Sequence, residues 1–260
     1  MSGAMDSLRR IDPQPLAPAA TRRRNGWRRL ASPAVFHGWA GRAVPCFAAL
    51  AGVLAAAGLW VGFAVAPTDH QQGEVYRIIF IHVPAAWMSM FIYLVAAFHA
   101  AMGLVFHTRL SALMARALAP TGALFTVIAL WTGAVWGKPT WGTWWVWDAR
   151  LTSELILLFL YLGFLGLVSA IDDPRRADRG GAIVLLAGVV NVPIIYFSVQ
   201  WWNTLHQGAS VSLTAAPAMA HTMLAGMLLM VGACWAYAVA VALARVRCLI
   251  VARDSLARRR

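Results

Sequence analysis

Charge is what this chain has least of. Of its 260 residues, 12% are Asp, Glu, Lys or Arg against 60% hydrophobic, a balance that excludes an ordinary soluble domain. Six stretches carry no such charge at all: roughly 43–66, 83–107, 117–137, 155–171, 180–202 and 218–244. A helix rises about 1.5 Å per residue and the hydrocarbon slab is about 30 Å thick, so about 20 residues cross it. All six qualify, the fourth barely. The expectation is an all-α integral membrane protein with six transmembrane helices.

Other scarcities narrow the chemistry. The three cysteines, Cys46, Cys234 and Cys248, fall within or at the inner ends of the expected spans, and there is no C-x-x-C or C-x-x-C-H. An outer disulfide, a thiol redox role and covalent heme attachment are therefore unsupported. No nucleotide-binding motif is present, so ATP hydrolysis is not expected of this chain. No repeat of 20 to 50 residues and no second domain stand out.

Cations are plentiful but one-sided. All but three of the 22 Lys and Arg lie on the side that holds both chain ends and the connections near 108–116 and 172–179; the exceptions are Arg77, Lys138 and Arg150. Cytoplasmic connections retain Lys and Arg, so both termini are expected in the cytoplasm. The net charge of +12 is then a matter of topology and of anionic lipid headgroups, and nucleic acid is not an expected partner. Residues 1–42 read as a disordered basic cytoplasmic tail, 43–245 as the membrane domain, and 246–260 as a second basic tail. The first apolar run is too long for a cleaved signal and is taken as an uncleaved span. Pro84 is expected just inside the start of span two, and Pro193, beside Asn191, to bend span five.

The outer connections are short, about 67–82, 138–154 and 203–217, yet they hold most of the reactive residues. "WGTWWVWDAR" puts four tryptophans into ten positions between spans three and four. An interfacial aromatic belt decorates both rims. Here Trp60, Trp87, Trp136, Trp141, Trp144, Trp145, Trp147, Trp201 and Trp202 gather at the outer rim, with Trp27 and Trp39 at the inner one. If residues 141–150 turn helically, Trp141/Trp145 and Trp144/Trp147 share faces, and a flat aromatic shelf suits a large, flat, apolar ligand. His82 and His206 sit at span boundaries facing that surface, without the carboxylate or thiol clustering of a zinc site. They fit an iron porphyrin held by two imidazoles. His70 is a weaker third candidate. Arg77, Lys138 and Arg150 could pair with propionates, although Arg150 could instead pair with Asp148 or Glu154. Asp148 could orient an imidazole or fix the shelf.

These segments resemble a family. "WGTWWVWD", and the fuller "YRIIFIHVPAAWMSM", "WGKPTWGTWWVWDARLTSELILLFLYLG" and "NVPIIYFSVQWWNTLHQG", are similar to the tryptophan-rich (WWD) heme-handling membrane proteins of cytochrome c biogenesis, CcmC-like proteins in particular, over about 40–250. The resemblance implies a bacterial inner-membrane protein that presents non-covalent, bis-histidine heme b on the periplasmic face. It would help load heme onto a CcmE-like chaperone, as a non-enzymatic holder and transfer surface, beside CcmA/CcmB-like transporter subunits, to which any ATP hydrolysis would belong, and a CcmD-like small protein. It also makes His82 and His206 axial ligands, and Trp141, Trp144, Trp145, Trp147 and Asp148 the heme platform.

Two other readings stay open. An electron-transfer cytochrome would need imidazoles inside the hydrocarbon, for which His99 and His221 are the candidates. A heme permease would need polar residues along a transmembrane path, for which Asn191 and the Pro193 break are the only hints.

Overall fold

The computed structural model describes residues 32–206, 217 and 219–258. Its helices are α1 (Pro33–Trp60), α2 (Ile79–Phe106), α3 (Arg109–Trp141), α4 (Ala149–Ala170), α5 (Pro174–Gly188), α6 (Asn191–Trp201) and α7 (His221–Arg258). A π-type turn, Val61–Val65, extends α1, and a 3₁₀ turn, Glu74–Ile78, leads into α2. Six helical segments are long and apolar enough to cross a membrane: Pro33–Val65, Glu74–Phe106, Arg109–Trp141, Ala149–Ala170, Pro174–Trp201 and His221–Ser255. Each matches one uncharged run, and the tryptophan-rich connection joins the third to the fourth.

Helix ends differ from the uncharged limits for a physical reason. Lack of charge marks the hydrocarbon slab, whereas backbone hydrogen bonding continues into the polar interface. Residues 33–42, expected in a disordered tail, instead form the start of α1, opened by Pro33 where a missing N–H costs little. Residues 1–31, the rest of that tail, lie outside the described residues. At the other end α7 runs through the basic segment to Arg258. Pro84 is not at a helix start: five residues of α2 precede it.

The fifth span is broken where Pro193 directs. Without an N–H, Pro193 cannot bond to Val189, and its ring clashes with that carbonyl. Helix α5 stops at Gly188 and α6 restarts at Asn191. Val192 N–H donates to Val189 O at 3.1 Å, a tighter turn that occupies the stranded carbonyl. Asn191 Nδ2 donates to Ser153 O at 2.9 Å, tying the break to α4.

Helix α1 packs on α7, α2 on α3, and α4 between α3 and the α5–α6 pair. At the centre Tyr93 and Tyr161, both fully buried, meet edge to face with centroids 5.1 Å apart. Hydrocarbon leaves no water for their hydroxyls. Tyr161 donates to Ser89 O at 2.8 Å and Tyr93 to Val184 O at 3.3 Å. Each needs a glycine opposite: a Cβ at Gly122 would stand 2.1 Å from Tyr161 Cζ, and one at Gly188 would stand 2.0 Å from the Tyr93 hydroxyl. This is the small-residue packing that membrane helices use in place of a hydrophobic driving force.

Candidate functional site

The end of the bundle away from the chain termini contains a cavity of about 530 Å³, within the range of small-molecule sites. His82 of α2, Trp136 and Trp141 of α3, Arg150 of α4 and His206 beyond α6 all line it. Met223 and Met227 of α7, with Met219 just before it, form the facing wall. A narrow cleft below is shared by His82, Gly133, Arg150, Glu154 and His206. The first and third outer connections therefore do meet over the same space.

Both imidazoles are oriented by an oxygen at Nδ1. His82 Nδ1 lies 3.0 Å from Thr132 Oγ1. That hydroxyl gives its one hydrogen to Ile128 O at 2.6 Å, so it can only accept from the ring. His206 Nδ1 lies 3.3 Å from Asp148 Oδ2, and an ionised carboxylate is acceptor-only. The Thr204 hydroxyl also donates to that carboxylate. Nδ1 carries the proton in both rings, which leaves a lone pair on each Nε2. Trp136 lies edge-on to His82, with centroids 5.6 Å apart, and Trp141 edge-on to His206, at 4.8 Å.

Asp148 has two tasks. Its Oδ1 accepts from Leu151 N–H at 2.8 Å and caps α4, while Oδ2 faces His206. Burial raises the carboxyl, but hydrogen bonds from Thr204 and Leu151 and the nearby His206 together hold it below its ordinary value. Burial lowers His206 and the Arg150 charge lowers it further, against the pull of Asp148; the net is below the ordinary histidine value. A neutral imidazole results.

The three outer cations separate. Arg150 lines the cavity and donates to Ile195 O at 3.4 Å; among the described residues it makes no ion pair with Asp148 or Glu154 within 4.0 Å. Arg77 pairs with Glu74, donates to the Gly62 carbonyl within the π-type turn and the Ala66 carbonyl just after it, and sits over Tyr76. Lys138 donates to Gly142 O at 3.1 Å, where Gly142, at φ +80°, closes α3 by returning its N–H to Lys138 O. Neither of these two lines the cavity. They hold helix ends.

The tryptophan shelf also divides. Residues 143–148 are not helical, because Gly142 turns the chain and Asp148 starts a new helix, so the expected face-sharing pairs do not form. Trp145 packs instead on Trp147, edge to face at 5.3 Å. These two, with Trp131, line a shallow depression on the flank of α3 and α4. Trp144 and Trp147 are exposed. Only Trp141 of the four lines the cavity.

Trp136 was counted only among the outer-rim tryptophans, and Thr132 and Thr204 were not singled out by sequence. Trp136 Nε1 donates to Gln72 Oε1 at 2.8 Å, tying the first outer connection to α3. Thr132, Trp136 and Thr140 recur every four residues on one face at the end of an apolar run, which is the available signal. His70 is exposed at the cavity rim. His99 and His221 line neither the cavity nor the cleft. Two imidazoles with aromatic and thioether walls and one cation suit a flat, iron-bearing, acidic ligand; among the described residues no group of three or more His, Cys, Asp or Glu could hold a bare metal ion.

A family model described as "Heme exporter protein C" matches residues 26–260. The "Heme exporter protein C" of Escherichia coli (strain K12) is 59% identical over 158 residues, 61% of this chain and 64% of that protein. That of Bradyrhizobium diazoefficiens is 52% identical over 182 residues, 70% and 69% of the two chains. A ccmC-like mitochondrial protein of Marchantia polymorpha, named for cytochrome c biosynthesis, is 50% identical over 159 residues, 61% and 67% of the two. The aligned part thus spans a little under two thirds of the E. coli relative.

Proposed function

The chain belongs to the heme exporter protein C family, and from that premise we propose that it holds heme in the outer cavity and hands it to an acceptor for cytochrome c biogenesis. The observation that carries this reading is the pair of imidazoles from separate outer connections, each with its proton on Nδ1 and its Nε2 lone pair left for a ligand. Heme is the cargo: its iron would take the two Nε2 atoms, Arg150 a propionate, and Trp136, Trp141 and the methionines the apolar macrocycle. Burial by protein side chains rather than a covalent bond suits a ligand that must leave. Non-covalent heme b is the expected form.

In this reading Trp144 and Trp147, exposed beside the site, form the surface met by a CcmE-like chaperone. CcmA/CcmB-like subunits and a CcmD-like protein complete the assembly. The excess of Arg at the other end of the bundle supports a cavity that opens on the periplasmic face of a bacterial inner membrane. The chain itself is a holder and transfer surface rather than an enzyme.

The test is an absorption titration of the purified full chain with heme, followed by addition of the chaperone's soluble domain. A low-spin, six-coordinate spectrum that fades as the chaperone gains heme is expected. Heme bound without histidine ligation, or retained in the presence of excess chaperone, refutes the proposal.

A further inference from the structure

The opposite end of the bundle contains a second, larger cavity of about 870 Å³ between α2, α3 and the start of α5. Its upper wall is apolar, with Leu104, Phe164 and Val168, and small residues such as Ala112 and Ala182 leave the space open. Its floor is cationic. Arg116 of α3 and Arg253 of α7 both reach a single oxygen, Asp178 Oδ1, at 2.8 and 2.6 Å. One carboxylate cannot neutralise two guanidinium groups. Arg116 Nη2 is buried with no hydrogen-bond partner among the described residues, and its Nε approaches Asp178 off the hydrogen-bonding direction. Arg116 and Arg253 both line the cavity, so an anion in it meets the positive charge that Asp178 leaves uncancelled.

The other charged groups facing the space are Arg109, Arg175, Arg179, Asp172, Asp173 and His107. Arg109 is engaged by Asp254 at 2.7 Å, and Asp173 caps α5 by accepting from Arg176 N–H at 2.7 Å. Arg175, Arg179 and Asp172 are exposed at the mouth. The excess positive charge therefore sits deep, beneath an apolar wall, and the matching ligand is anionic at one end and apolar along its length.

We propose that this inner cavity binds the phosphate group of an anionic membrane lipid, with the headgroup at Arg116 and Arg253 and the acyl chains along Leu104, Phe164 and Val168. Basic recesses between helices at the cytoplasmic side of a membrane favour such headgroups, and guanidinium meets phosphate through two parallel hydrogen bonds. The shared chemistry is a phosphate monoanion, which free phosphate could also supply. The apolar wall favours the lipid.

The experiment is native mass spectrometry of the detergent-purified full chain with phosphatidylglycerol, phosphatidylcholine or inorganic phosphate. Phosphatidylglycerol should stay bound at a collision energy that strips phosphatidylcholine, and millimolar phosphate should not displace it. Arg116→Gln with Arg253→Gln should lower the affinity about a hundredfold, about tenfold for each of the two charge-assisted hydrogen bonds lost. Should that variant fail to fold, a photoreactive phosphatidylglycerol on the unaltered chain should label residues 100–116 and 164–182. Equal retention of the two lipids, full displacement by phosphate or by heme, or labelling confined elsewhere overturns the proposal. The readout does not depend on heme at the outer end, so failure there leaves this result intact.

Discussion

His82 and Thr132 stand 50 positions apart in the chain, yet His82 Nδ1 lies 3.0 Å from Thr132 Oγ1. The contact decides which nitrogen of the ring is free. Thr132→Val keeps the shape and removes the acceptor, so the ring loses its fixed tautomer. Heme affinity of the purified chain should fall by about 10 to 100-fold, as it does when other metal-ligating histidines lose their orienting partner. An unchanged titration curve would show that the hydroxyl does not matter.

The histidines themselves give the sharper result. His82→Gly or His206→Gly should leave some heme in the cavity, move its spectrum from six-coordinate to five-coordinate or water-ligated, and block hand-over. Added imidazole should enter the space left by the glycine and restore part of the original spectrum. His99→Gly and His107→Gly, at residues that do not line the outer cavity, are the controls. If the rim variants keep the original spectrum while His99→Gly loses it, the heme is inside the hydrocarbon and an electron-transfer role takes over.

Acidity acts through His206. Because burial and Arg150 depress its value in the folded protein, the ring stays neutral as the pH falls through about 6.5, the ordinary histidine value, and is protonated only below it. Histidine-labelled NMR of the heme-free chain should place the His206 midpoint below 6.5. Arg150→Gln removes a like charge and should shift that midpoint upward. A midpoint at or above the ordinary value in the unaltered chain contradicts the burial seen here.

Orientation in the membrane can be read independently of heme. A reporter active only in the periplasm should work when fused after Pro139 and stay silent when fused after Arg176. Activity at Arg176 would invert the chain and put the histidine cavity on the cytoplasmic side.

Much of this was legible in the sequence because hydrocarbon imposes its rule on every residue of a span. Six uncharged runs became six membrane-spanning segments, and Pro193 marked the break in the fifth. His82, His206, Trp141 and Arg150 were identified individually and line one cavity, and Asp148 meets His206 from behind it. What was missed depends on register between helices. No local pattern says that Thr132 faces His82, or that Trp136 reaches back to Gln72. Arg77 and Lys138 were expected at the ligand because they were scarce on that side. Their neighbours held the contrary signal, Glu74 three residues before Arg77 and Gly142 four residues after Lys138, which are the spacings of an i,i+3 pair and a helix stop. The paired-face reading of the tryptophans failed because it assumed a helix that Gly142 ends.

The glycine sockets around the central tyrosines can be tested by overfilling one. Gly188→Ala would drive a methyl group into the Tyr93 hydroxyl and should cost about 1 to 3 kcal/mol, seen as a lower melting temperature in detergent. Combining it with Tyr93→Phe removes the atom that is struck and should recover part of the loss. A double variant no more stable than the single one would mean that the hydroxyl is not the obstacle.

Those same two tyrosines have an electrical consequence. A membrane that carries a potential exerts about 2.3 kcal/mol per 100 mV on each charge crossing it, and any file of water through a protein becomes a leak. This chain opens polar hollows from both faces, with Arg150 and Glu154 beneath one and Arg116 beneath the other. Tyr93 and Tyr161, fully buried and with their hydroxyls committed to backbone carbonyls, line neither hollow and offer no free polar group to a file of water between them. Packing of that kind insulates, and it lets a protein carry charged hollows at both surfaces of a membrane without discharging it.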